Sequence, residues 1–268
     1  MIPGIRIDRV LARNPGPFTG PGTNTYVIGG HRFVVVLDPG PVDAHHADAI
    51  MEKVGDRVVR AVIVTHTHLD HAPLANPLAA DLEVPALGYA PGPEFEPDLM
   101  LTDGESVEVA GEELTVVYTP GHSDDHLCFR LGNSLFTGDH IMGGSSVMVE
   151  DMGPYLESLR KLQGTGLEQL LPGHGEPMDQ PDEVISWYLA HRIERERQII
   201  DSLRRGTGTI GEIVEDVYRD VDAALHPLAA RSVVAHLRKL EDEDVTTRDG
   251  DDWQSGVRLV VSGTHIED

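Results

Sequence analysis

The run Thr65-His66-Thr67-His68-Leu69-Asp70-His71 follows directly on the apolar stretch Ala61-Val62-Ile63-Val64. It holds four metal-competent side chains in six residues. Packing alone does not call for that. Residues two apart on an extended chain face the same side, so His66 and His68 point together. Asp70 and His71 fall where the chain turns and can face a second centre. The pattern suits two divalent ions held side by side. It also restricts the fold to one that ends a buried strand in a ligand-bearing loop.

The same punctuation recurs along the chain. Asn24 to Ile28 and Arg32 to Leu37 are predicted strands. Gly29-Gly30 turns between them, and Asp38-Pro39-Gly40 follows. Ala44 to Val54 is a predicted helix. Val58 to Val64 is the buried strand that delivers the histidine run, and Leu74 to Leu82 is a second helix. Ser106 to Val109 and Glu113 to Tyr118 are strands, the latter ending at Thr119-Pro120-Gly121-His122. Leu127 to Leu131 and Leu135 to Thr137 form a hairpin around Gly132-Asn133, ending at Gly138-Asp139-His140. Met152 to Leu162 is helical. Glu168 to Leu171 is a strand ending at Pro172-Gly173-His174-Gly175. Open α/β architectures place their sites on such loops at the carboxyl ends of strands.

The tail changes character. Pro181 to Leu203 reads as a long amphipathic helix. Gly211 to Tyr218 and Pro227 to Glu241 are two further helices. Val245 to Thr247 and Val257 to Val261 flank a polar tip at Gly250-Asp251-Asp252. Two helices and a two-stranded wing outline a winged-helix module. The expected division is a catalytic domain over 1–203 and a winged-helix-like domain over 204–268.

His66, His68 and His122 supply three imidazoles for one ion. Asp70, His71 and His174 serve a second. Asp139 can bridge the two with its two oxygens, and Asp70 and Asp139 are the carboxylates expected to act in catalysis. Zinc suits such imidazole and carboxylate donors. A hydroxide shared by two such ions is a nucleophile at neutral pH. The expected cofactors are therefore two divalent ions, zinc first, and the expected activity is hydrolysis. His126 and His140 stand close to the set in sequence. His31, His45, His46, His191, His226, His236 and His265 are read as ordinary surface or core histidines. The single cysteine, Cys128, lies in an apolar run and is read as buried filler.

T-H-T-H-L-D-H, T-P-G-H, T-G-D-H and P-G-H-G, in that order, resemble the signatures of the metallo-β-lactamase superfamily. The resemblance covers about residues 20 to 200. It implies an αββα sandwich with a dinuclear site at one edge, and Asp38 as a residue that holds the histidine loop by hydrogen bonds. T-P-G-H-S-D-D-H, D-M-G-P-Y-L-E-S-L, L-P-G-H-G-E-P and H-R-I-E-R-E-R-Q-I resemble the β-lactamase-like protein 2 group, which carries a winged-helix-like C-terminal domain. Animal members of that group are described as single-strand-specific endoribonucleases. True β-lactamases of this fold mostly lack a carboxylate where Asp139 stands, and flavodiiron members carry one where His68 stands. Both comparisons point to a hydrolase other than a lactamase.

Charge weighs on the substrate. The chain has 45 acidic and 21 basic residues, net −24. Such a surface repels nucleic acid and anionic membranes at low salt, and it resembles proteins of high-salt environments. No apolar window approaches the length of a membrane span, so no membrane partner and a cytoplasmic location are expected. The leading expectation is cleavage of single-stranded RNA or another phosphodiester. The alternative is a thioesterase of the hydroxyacylglutathione hydrolase kind, or a small-ester or lactone hydrolase. A non-catalytic, metal-stabilised interaction protein is the remaining class. A homodimer is the default assembly.

Overall fold

The computed structural model describes residues 2–144, 146–248, 253 and 256–260. Two six-stranded sheets lie face to face. The first runs β1 (Arg6–Leu11), β2 (Asn24–Gly29), β3 (Phe33–Leu37), β4 (Val58–Ile63), β5 (Ala86–Gly88) and β6 (Leu99–Met100). The second has the spatial order β12 (Met178–Asp179), β11 (Gln169–Pro172), β10 (Ser134–Gly138), β9 (Leu127–Leu131), β8 (Glu112–Tyr118) and β7 (Ser106–Val109). In each sheet an antiparallel hairpin continues into parallel pairing: β2 with β3 then β4, and β9 with β10 then β11.

Alternation along the strands builds the layers. On β3, Val35 and Leu37 face the second sheet, where Phe129, Phe136 and Leu171 meet them. Val34 and Val36 face the other way, against α1 (Ala44–Val54) and α2 (Ala75–Leu82). β3 is thus buried on both faces and reads as a continuous apolar run. Leu135 and Leu170, on the outer face of the second sheet, pack under α3 (Met152–Leu162) and the first half of α4 (Pro181–Arg204). The order of layers is αββα, as the resemblance implied.

Local chemistry explains the helix starts. Asp43 caps α1, accepting from the His45 and His46 amides at 2.7 and 3.2 Å. Asp151 does the same for α3. Pro77 falls in the first turn of α2, where its missing N–H has no intrahelical partner to lose.

The tail is a winged-helix unit. α5 (Ile210–Val217) opens with a capping box of Thr209 and Glu212. A short turn, Ala223–Leu225, leads into α6 (His226–Asp242), and β13 (Thr246–Arg248) pairs antiparallel with β14 (Val257–Leu259). Its core joins Ile213, Val233 and Leu237 to Ile199 and Leu203 at the end of α4. The predicted wing tip, Gly250 to Asp252, and His265 lie outside the described residues. Among the described residues, no helix is long and apolar enough to cross a membrane.

Candidate metal centre

Five connections at one rim of the sandwich carry the polar cluster. Asp38 follows β3, the histidine run follows β4, His122 follows β8, Asp139 follows β10 and His174 follows β11. All seven residues expected as ligands come together there. His66, His68 and His122 form one group, and Asp70, His71, Asp139 and His174 form another.

In the first group His68 Nδ1 lies 3.0 Å from both His66 Nε2 and His122 Nε2. In the second, His71 Nε2 and His174 Nε2 are 3.2 Å apart. Asp139 stands between the groups. Its Oδ1 lies 3.3 Å from both His71 Nε2 and His174 Nε2, and its Oδ2 lies 3.7 Å from His122 Nε2. Asp70 Oδ2 is 3.0 Å from His174 Nε2 and is the more exposed carboxylate of the pair.

The outward nitrogens fix what the inward ones present. His122 Nδ1 meets the Met148 carbonyl at 2.7 Å, and His174 Nδ1 meets the Gly22 carbonyl at 3.1 Å. A carbonyl only accepts, so both rings carry a proton on Nδ1, and in the neutral form each turns a lone pair inward. His71 Nδ1 donates to Asp38 Oδ2 at 2.9 Å. The Thr65 hydroxyl donates to the same Asp38 oxygen at 2.8 Å, which leaves its oxygen to accept from His66 Nδ1 at 3.0 Å. With these rings neutral, as a metal-bound imidazole must be, four lone pairs converge. One proton on His68 Nδ1 satisfies at most one of its two neighbours. Asp139 Oδ1 is buried with no hydrogen bond. Converging lone pairs beside an unsatisfied buried carboxylate oxygen repel one another unless a cation lies among them. The residues fit a pair of metal ions.

Titration behaviour separates the two groups. Burial pushes His122 down to about 4 and His66 well below the usual imidazole range, so both are neutral donors. Burial opposes charge on His71 too, but Asp139 and Asp38 outweigh it and hold its proton well above the usual range. Against the same burial, Asp139 and Asp70 raise His174 to about 9. The second group attracts protons for the reason it would attract a metal ion, and a metal must displace them.

Asp38 is hydrogen-bonded to the histidine loop. Besides Thr65 Oγ1 and His71, it accepts from the Thr65 amide at 2.7 Å. Glycines make room for the ligands. A Cβ on Gly173 would stand 2.7 Å from His71 Cε1 and 2.8 Å from Asp139 Oδ1. Gly138 combines a φ of +47° with a virtual Cβ 2.7 Å from His126 Nε2.

Other supporting groups carry no signal of that role in the sequence. Asp125 accepts from the Thr67 amide at 2.8 Å and steadies the histidine loop. His126 is fully buried, and its Nε2 accepts from the Asp139 amide at 3.2 Å. It is a support for Asp139 and not a member of either group. His140 is buried against Tyr155, with burial lowering it to about 3. His46 bonds Thr25 Oγ1 at 2.8 Å, and His236 bonds Glu196 at 3.3 Å. Cys128 is fully buried, and burial pushes its thiol up to about 12, which removes it as a nucleophile.

Two stacked sheets with a double His/Asp cluster at one rim define a metal-site hydrolase scaffold with a winged-helix appendage. Residues 18–174 match the family described as the metallo-beta-lactamase superfamily, and residues 209–253 match the beta-lactamase associated winged helix domain. The chain belongs to the metallo-beta-lactamase superfamily. It is similar to the atrochrysone carboxyl ACP thioesterase of Aspergillus novofumigatus, with 32% identity over 258 residues, 89% of this chain and 79% of that one. It is also similar to the beta-lactamase-like protein 2 homolog of Drosophila melanogaster, with 30% identity over 257 residues, 88% of this chain and 87% of that one. A metallo-beta-lactamase family protein from Thermus thermophilus shares the fold at a TM-score of 0.79 and 23% identity, covering 97% of this chain and 99% of the other.

Proposed function

We propose that this protein is a dinuclear, metal-dependent thioesterase. His66, His68 and His122 would hold one ion, and Asp70, His71 and His174 would hold the second, with Asp139 shared between the groups. The observation that carries this reading is Asp139, which turns one oxygen towards each group. Divalent ions at such a centre polarise an acyl oxygen and lower the pKa of water towards neutrality. Zinc suits the imidazole-rich donor set.

The chain's own residues do the rest. Asp38 and the Met148 and Gly22 carbonyls lock the imidazole tautomers, so no ring has to reorganise during turnover. Asp70, whose side chain is more exposed than that of Asp139, is the carboxylate that would take up the proton released when water attacks. The catalytic unit is residues 1–203, with 204–268 as an appendage that helps to shape the substrate site. Support for a thioester comes from the likeness to a thioesterase over most of both chains and from the net charge of −24, which disfavours a polyanionic substrate. The winged helix and the likeness to a beta-lactamase-like protein 2 homolog favour a second reading, cleavage of single-stranded RNA.

The test is a panel of an acyl thioester, a single-stranded RNA, a chromogenic lactam and a simple ester, run on zinc-loaded protein. Thioester turnover that is lost on chelation and regained with zinc is the expected outcome. Asp139→Ala is expected to lower kcat by at least about a hundredfold, as removing a transition-state-stabilising group does, with an unchanged near-ultraviolet circular dichroism spectrum. Turnover of RNA alone would replace the thioesterase reading with the second one. Stoichiometric zinc without any turnover would end both.

A further inference from the structure

A cavity of about 430 Å³ lies between the winged-helix unit and the loop that backs His122. Its near wall is Val149 and Glu150. These follow Met148, whose carbonyl fixes the His122 tautomer. The amides of Glu150 and Asp151 both donate to the Gly121 carbonyl, at 2.8 and 3.0 Å. The wall is therefore pinned to the residue beside a metal-group histidine. The far wall is α6, which contributes Arg231, Val234 and Arg238, and Ile210 at the start of α5 adds apolar surface.

Arg231 and Arg238 sit two turns apart on one face of α6, about 10 Å along its axis. Two extended guanidinium side chains on that spacing can close on one group between them. Arg231 makes a loose ion pair with Glu150, at 3.9 Å. Arg238 is exposed, and its side chain has no hydrogen bond or ion pair among the described residues. Among the lining residues two cations face one carboxylate, in a chain with 45 acidic and 21 basic residues. A cavity lined by an excess of cations concentrates anions. The guanidinium fork matches phosphate oxygens, and the apolar side chains suit methylene groups.

The geometry points to this cavity as the seat of a phosphate-bearing thiol arm, the phosphopantetheine of an acyl thioester. Arg231 and Arg238 hold the phosphate, while Val149, Ile210 and Val234 pack on the arm. This assignment rests on the thioesterase reading. Thioester hydrolysis breaks the C–S bond and forms a C–O bond from water, and the thiol takes the remaining water proton as the acid leaves. A nucleic-acid strand fits less well, because one pair of arginines serves one phosphate and the chain carries a net charge of −24.

The experiment compares S-acetyl-phosphopantetheine with S-acetyl-pantetheine, which lacks only the phosphate, on the zinc-loaded full chain. The expected ratio of kcat/KM is about tenfold or more in favour of the phosphorylated thioester. In the double variant Arg231→Gln/Arg238→Gln that ratio falls to about one, through KM. A second readout needs no turnover. Calorimetric titration with phosphopantetheine itself is expected to show a Kd raised about tenfold or more in the double variant. A wild-type ratio of one, or a Kd indifferent to the arginines, overturns the assignment and leaves the thioesterase reading in place. Arginine-dependent binding without thioester turnover removes the thioesterase reading, and with it the assignment of the bound arm to a substrate. Loss of RNA binding in the double variant, with phosphopantetheine binding unchanged, also overturns it. Acetyl-coenzyme A and an acetylated carrier protein, run side by side, tell whether the arm arrives on a small carrier or on a protein.

Discussion

Asp38 shows how much of a candidate metal site can rest on a residue outside both ligand groups. Its left-handed backbone, φ 51°, turns the carboxylate under the histidine loop. There it takes the Thr65 amide, the Thr65 hydroxyl and His71 Nδ1 at once. Asp38→Asn puts an NH2 group against at least one of these donors. We expect zinc affinity to fall about 10- to 100-fold, the usual cost of losing an outer-shell partner, in competition with a chromogenic chelator. Unchanged affinity would show that Asp38 only shapes the turn. Gly173→Ala is a sharper test of crowding, because its Cβ would press on His71 and Asp139 together. Stoichiometry is expected to drop from two zinc ions towards one, and two ions retained would show that the rim can yield. The histidine run and its three downstream partners are legible in the sequence because spacing and strand ends are local signals. The Met148 and Gly22 carbonyls are not, since every residue has a carbonyl and only the fold selects which one meets a ring. His126 is visible as a neighbour of the site, but its contact with the Asp139 amide depends on how β9 and β10 pair.

Elements with a strong period of their own are legible to within a residue or two. α1 and α3 fall on the expected ranges, and β2 and β3 form the expected hairpin. β1 escapes a sequence reading because Arg6, Asp8 and Arg9 interrupt its apolar residues, as suits an edge strand. β5 has three residues, and β6 and β12 have two each. Strands that short are defined by the neighbour they bond, which no local window contains. α4 uses all of its 24 residues. Ile185, Tyr188 and Leu189 pack on the second sheet, while Ile199 and Leu203 belong to the winged-helix core. One rigid rod therefore serves two cores. Ile199→Ala empties a fully buried position and is expected to cost about 2–5 kcal/mol, read as a lower denaturant midpoint. A loss well under about 1 kcal/mol would mean that the tail core collapses around the gap.

At the scale of the molecule, charge and architecture pull in different directions. A net charge of −24 on 268 residues works against the compact state by self-repulsion. Salt shortens the range of that repulsion from about 10 Å at 0.1 M to about 3 Å at 1 M. The melting temperature is expected to rise between 0.1 and 2 M potassium chloride, and a flat or falling curve would show that local ion pairs, such as Arg57 with Asp8, have already absorbed the excess. The architecture concentrates its joinery at one rim. Asn24 Nδ2 donates to the Pro172 and Gly175 carbonyls at 2.9 and 2.8 Å, and the Tyr26 hydroxyl reaches Pro172 at 2.8 Å. These bonds tie the first sheet to the second beside the ligands. Both ligand groups draw side chains from each sheet. An ion held in either one would therefore act as a rivet through two plates, and stripping it out would loosen both at that corner.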